Sequence, residues 1–278
     1  MAAAIMAHLQ CSNALIEPGV ALHEYASSKD KQEALGERDL FRRADNLDPR
    51  VYADIALGRR SRISPTELES VNLPLPTRDT DFSEQPPIWK CSNLLALRLA
   101  LFELQDGKQA EKFKRFLGWM HLDFMWSAAA TQFASLYFSS QRSGGMLKRI
   151  RSKDRSRAMR GVENAAWDLT LLQYWSCCAN QQQNTKKLHF ICSRDVALLR
   201  LASDLVADVD KLEMSKRSEM LFREHWGQEG AVLLEFYQNL SNRKNDPERA
   251  VNRGANRSDW DKLVPVLEAE FQNHQSIA

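Results

Sequence analysis

The stretch from Gly161 to Leu201 constrains this chain more than any other, because it demands a change of secondary structure within a short span. Apolar residues at helical spacing predict a helix from about Asn164 through Trp175. A polar bend of glutamines ending near Asn184 follows, and then the short apolar run Leu188-His-Phe-Ile-Cys192, which predicts a buried strand. Ser193-Arg194-Asp195 closes the run, and a second helix is predicted from Val196 to Leu201. Asp168 then falls about one turn past a helix start, and Asp195 falls where strand gives way to helix. In open α/β sheets such carboxylates point into the crevice that holds ligands. Helix amino termini carry partial positive charge, so acids there stay ionised and can hold a divalent cation. The plainer use of Asp at both places is capping, which competes with the metal role at each position.

Asn164-Ala-Ala-Trp-Asp168 and Ile191-Cys-Ser-Arg-Asp195 together resemble the C-terminal half of the PIN-domain ribonucleases. In that family one Asp opens a helix and a second follows the next strand. Near the N-terminus, Ile16-Glu-Pro-Gly-Val-Ala-Leu-His-Glu24-Tyr resembles the family's second strand and its Glu-bearing helix. These segments cover well under half of the chain. The resemblance implies an α/β fold, predominantly helical, with a PIN-like core around a small parallel sheet. It makes residues 1–278 a single PIN-like domain, with a helical insertion over about 30–145 and a helical C-terminal extension over about 203–278. It implies a metal-dependent endoribonuclease in which Glu24, Asp168 and Asp195 are both metal ligands and catalytic groups, with Mg²⁺ or Mn²⁺ as the ion. The family's first strand carries an Asp, and here no Asp precedes Asp30. Two expectations follow: a first strand with its Asp lies upstream of Met1, or the site is degenerate and its activity is in doubt.

Hydrophobic residues make up 44% of the 278 and charged residues 27%, enough for a substantial core. Cys11, Cys91, Cys177, Cys178 and Cys192 form no Cys-x-x-Cys pair and are odd in number. That favours free thiols in a reducing cytoplasm over a disulfide framework or zinc site. Met1 to Gln10 has no basic residue ahead of its apolar run, so it reads as an amphipathic or buried helix and not as a signal peptide. Ala14 to Ile16 is a candidate strand, and Pro18 starts the helix that carries Glu24. A helix from Asp30 to about Arg43, a turn at Asp45–Pro49 and a capping box at Ser64-Pro-Thr-Glu67 follow. With Pro65 just ahead, four prolines, Pro74, Pro76, Pro86 and Pro87, make Asn72 to Pro87 an exposed, mostly extended loop.

Beyond it, a helix from Leu94 to Gln105 is capped by Ser92 or Asn93, and a longer one runs from Gln109 to about Ser139. His121, Asp123 and Gln132 make a membrane span there costly, so a buried helix at the centre of a domain is expected. Gly144-Gly145 ends it. Lys148, Arg149, Arg151, Lys153, Arg155, Arg157 and Arg160 then stand against one acid, Asp154. Basic runs are most often solvated surface, but this one flanks the Asp168 helix, and phosphate contacts supply sequence-independent affinity for nucleic acid. After Leu201 the chain reads as helical almost throughout.

Two functions of different class fit these residues. One is the nuclease, acting on RNA ahead of DNA. The other is a non-catalytic, mostly helical binding or regulatory protein, such as a degenerate nuclease that partners another protein in a toxin or defence system.

Overall fold

A computed structural model describes residues 1–73, 81–142, 145–180, 187–205, 211–243, 245–247, 249 and 260–274. The chain divides into two compact units, Met1–Pro86 and Pro87–Ala278, with the boundary inside the proline-rich stretch.

The first unit holds α1 (Ala2–Cys11), α2 (Gly19–Ser28), α3 (Lys31–Asp45), α4 (Pro49–Ala56) and α5 (Pro65–Ser70). Most of the starts are fixed by side-chain caps. Asp30 accepts from the Glu33 amide, Asp48 from Arg50, and Ser64 and Glu67 form the expected reciprocal box. Helix carboxyl ends are closed from a distance. Gln10 Nε2 donates to the Ala44 and Asp45 carbonyls at 3.3 and 2.8 Å, and the Tyr52 hydroxyl donates to Ala44 at 2.8 Å. Arg43 Nη1 serves the Leu68, Glu69 and Val71 carbonyls at the end of α5. A small apolar cluster of Leu22, Ala34 and Phe82 sits under α2 and α3.

The second unit holds α6 (Pro87–Leu104), α7 (Gln109–Leu122), α8 (Ala128–Phe138), α9 (Arg155–Ala179), α10 (Val196–Leu205), α11 (Lys211–Trp226), a single 3₁₀ turn (Gly227–Glu229), α12 (Gly230–Asn242) and α13 (Trp260–Asn273). α6 is its axis. Pro87 opens it, and a run of Leu and Ala with no β-branched residue after Ile88 continues it. It is buried on nearly every side, which is the pattern of a central helix. α9 lies along it, tied by Gln173 Nε2 donating to Ser92 Oγ at 2.9 Å and by the Trp89–Trp167 ring pair. α13 lies on α6 as well, held by ion pairs from Lys90 to Asp261 and from Arg98 to Glu270.

The expected α/β core with a small parallel sheet is not present: among the described residues there is no strand. Leu188 to Cys192 and Ala14 to Ile16 lie outside any regular element. A strand needs a neighbour to pair with, and β-propensity alone cannot supply one. At Leu188–Cys192 the Trp175 indole donates to the His189 carbonyl at 3.1 Å, and among the described residues no ladder forms. Leu188 and Phe190 are 74% and 80% exposed, the reverse of a buried strand. Three helix boundaries also differ. α6 begins at Pro87, so the expected caps Ser92 and Asn93 lie buried within it. α9 begins at Arg155 with Asp154 as its cap, well before Asn164, because Ala158, Val162 and Ala165 already continue the buried stripe. The long helix expected from Gln109 breaks at Asp123, and Ser127 caps a new one by accepting from the Ala130 amide at 3.1 Å. The glutamine bend, Gly144 and residues 74–80 of the expected Asn72–Pro87 loop lie outside the described residues, and Pro87, expected in that loop, opens α6 instead.

Candidate functional site

The three acids singled out in the sequence take three different settings. Glu24 lies on α2 of the first unit; its outer surface is exposed, but surrounding protein partly desolvates the carboxyl and raises it above the ordinary carboxylate value. Asp168 and Asp195 belong to the second unit. Asp168 is half-buried and lies past the middle of α9, far from the positive end of the helix dipole that was expected to support it. Asp195 is a cap: its Oδ1 accepts from the Ala197 and Leu198 amides at 2.8 and 3.1 Å. Its other oxygen faces Gly145. A Cβ on that glycine would stand 3.8 Å from Asp195 Oδ2 and 3.7 Å from Lys148 Cε. The fold therefore brings Asp195 against the start of the basic run.

The chemistry of that corner does not suit Mg²⁺ or Mn²⁺. One carboxylate oxygen is already committed to two amides, and a lysine stem lies close by. Among the described residues no group of three or more His, Cys, Asp or Glu side chains is placed to hold a metal ion.

The basic run itself is well held. Met146, Leu147 and Ile150 are buried and pin the turn that carries it. Gly161 on α9 lets this turn approach, since a Cβ there would lie 1.9 Å from the Lys148 carbonyl oxygen. Arg149 adopts φ +58°, a left-handed conformation that is uncommon outside glycine and asparagine. Arg155 is structural: its guanidinium donates to the Ile150 and Phe271 carbonyls and lies over the Phe271 ring. Lys148, Arg149, Arg151, Lys153, Arg157 and Arg160 are exposed.

One cluster had no signal in the sequence, because its members come from four separate segments. Glu103, at the end of α6, is buried and meets three cations: Lys112 Nζ at 3.8 Å, Arg142 Nη1 at 3.6 Å and Arg151 Nη2 at 3.3 Å. Arg142 lies over the Tyr137 ring and donates to its hydroxyl at 2.6 Å. Burial lowers the pKa of Lys112; the Glu103 carboxylate opposes that, while Arg151 and Arg142 add to it. Burial and the same carboxylate push the Tyr137 phenol well above its usual range.

A buried polar trio elsewhere joins Ser135 to His225 Nδ1 at 3.0 Å and to the Trp226 indole at 3.0 Å. The indole can only donate, so the Ser135 hydroxyl accepts from it, and the imidazole tautomer sets the direction of its bond with Nδ1. Neither Ser135 nor His225 reaches solvent, and His225 Nε2 has no hydrogen-bond partner, so no acid orients the ring. This is a core network and not an accessible nucleophile.

No family model, no curated protein and no solved structure matches the chain. No helix among the described residues is long and apolar enough to cross a membrane.

Proposed function

We propose that the second unit binds the phosphate backbone of nucleic acid, RNA ahead of DNA, without cutting it. The observation that carries this reading is the rigid display of Lys148, Arg149, Arg151, Lys153, Arg157 and Arg160. Basic runs on mobile surface need no binding partner to account for them. This one is fixed by three buried apolar side chains and a glycine contact, and it keeps an arginine where glycine would relieve backbone strain. Asp154 spends one oxygen on capping α9 and leaves the surface strongly positive. Such a surface recognises phosphates through charge, with little dependence on base sequence.

The test is binding of labelled single-stranded RNA and of duplex DNA over a series of salt concentrations. Replacing Arg149, Lys153 and Arg157 together by Ala spares the groups that hold the turn. Its expected effect is a shallower salt dependence for RNA, with the log–log slope reduced by about 2. An unchanged slope would reduce the run to a solvated face. The same RNA incubated in Mg²⁺ or Mn²⁺ is expected to stay intact, and cutting that Asp195→Asn abolishes would overturn the non-catalytic part.

A further inference from the structure

We infer that Arg142 and Arg151 form a clamp for a single phosphate group. For its biological ligand, a phosphodiester, this rests on the nucleic-acid reading above. Both guanidinium groups reach the same oxygen, Oε1 of Glu103, so the carboxylate holds them side by side. The charges there do not balance. Lys112, Arg142 and Arg151 face Glu103, and Asp106, exposed at the edge, is the one other acid that acts on Lys112.

Closing the end of α6 accounts for part of this cluster. Lys112 Nζ and Arg151 Nη2 donate to the Glu103 carbonyl at 2.9 and 3.0 Å, which satisfies a helix terminus. Arg142 has no such duty. Among the described residues it bonds to no main-chain carbonyl; it is 43% exposed and is set by stacking on Tyr137 and by donating to that hydroxyl. Arg151, 64% exposed, spends Nε and Nη2 on Glu103, and its Nη1 makes no bond among the described residues. Two oriented guanidinium forks with unused N–H groups and excess positive charge match the geometry of a tetrahedral oxyanion. The buried carboxylate beneath them acts as the spacer that stops the two arginines from splaying.

The discriminating variant is Arg142→Ala, which leaves Lys112 and Arg151 on Glu103. Its affinity for single-stranded RNA is expected to fall about tenfold, against about threefold for Lys153→Ala, because a charge-assisted fork is lost and not a screened surface charge. Inorganic pyrophosphate is expected to raise the melting temperature of the native chain and to lose that effect in Arg142→Ala. RNA loss equal to that of Lys153→Ala, or pyrophosphate stabilising chain and variant alike, would overturn the clamp. If pyrophosphate stabilises the native chain while RNA does not bind, the clamp stands as a site for a small phosphorylated molecule and the nucleic-acid reading falls. If RNA binds and pyrophosphate has no effect, the clamp falls and that reading stands. Should Arg142→Ala not fold, Arg142→Lys keeps the charge without the fork; a retained pyrophosphate effect there also counts against the clamp.

Discussion

The helices of Met1–Pro86 bury Leu22, Ala34 and Tyr52, whereas α6 of the second unit alone buries fourteen residues. The two units are held by different physics. In the first, order comes from the ends of helices: Asp30, Asp48 and Ser64 at amino termini, Gln10, Tyr52 and Arg43 at carboxyl termini. Each such bond contributes about 1 kcal/mol. In the second, order comes from apolar burial, where one fully buried Leu or Phe contributes about 1.5–3 kcal/mol. A functional surface on the second unit can therefore hold strained and like-charged groups that the first has little stability to support.

The same substitution in the two units tests this directly. Leu97 is fully buried in α6, and Leu22 is 8% exposed as one of a cluster of only three buried residues. Leu97→Ala is expected to destabilise the second unit by about 3–5 kcal/mol, since its neighbours cannot collapse around the void. Leu22→Ala is expected to cost the first unit about 1–2 kcal/mol, because solvent already reaches the site. Hydrogen exchange read separately over α2 and α9 measures both, and equal losses would erase the distinction.

Gly161→Ala strikes where the stable unit carries its surface. The added methyl meets the Lys148 carbonyl oxygen, a main-chain atom that has no flexible end to swing aside. We expect a loss of about 1–3 kcal/mol and displacement of the Lys148–Ser152 turn. Weaker binding to RNA should accompany it although no charge is removed. Unchanged RNA affinity would separate the basic surface from the turn that displays it.

The same glycine shows why part of the fold is legible in the sequence and part is not. Helix starts with a chemical marker can be read directly, as at Ser64-Pro-Thr-Glu67, where cap and reciprocal carboxylate are four residues of one motif. Gly161 reads like the edge of a helix because glycine weakens helices, yet here it serves a close approach from a distant turn. The run Leu188–Cys192 has the composition of a strand, but pairing is a property of two segments and cannot be read from one. Asp195 does stand at the start of a helix, and its capping bonds are the plain alternative to a metal role. Arg151 is legible as part of the basic run, but its partners Glu103, Lys112 and Arg142 are not, since only packing brings these separate segments together.

Acid should separate the units most finely. His225 is fully buried in the second unit, where burial, with Arg200 adding to it, holds the imidazole below its ordinary pKa of 6.5. His121, also buried, is lowered by burial and by Arg249 and Arg243. For both, the unfolded chain binds the proton more readily, so stability falls as pH drops below about 6.5 and on through the lowered folded values. In the first unit Glu67 runs the other way in cause and later in pH. Its bonds to Arg60 and to Ser64 hold it at about 2 in place of 4.5, so its contribution is complete above 4.5 and is lost on the way down to about 2. Because Glu67 is only half-buried, solvent still screens this contribution and discounts it. Unfolding followed by exchange in each unit should show the second weakening between pH 7 and 5, while in the first the raised Glu24 and Asp45 carboxyls push stability the opposite way as pH falls. Glu67→Gln should flatten the first unit's response below pH 4.5 and leave the second untouched. A second unit whose stability does not change between pH 7 and 5 would mean that water reaches both imidazoles, and the contrast between a dry unit and a capped one would then be lost.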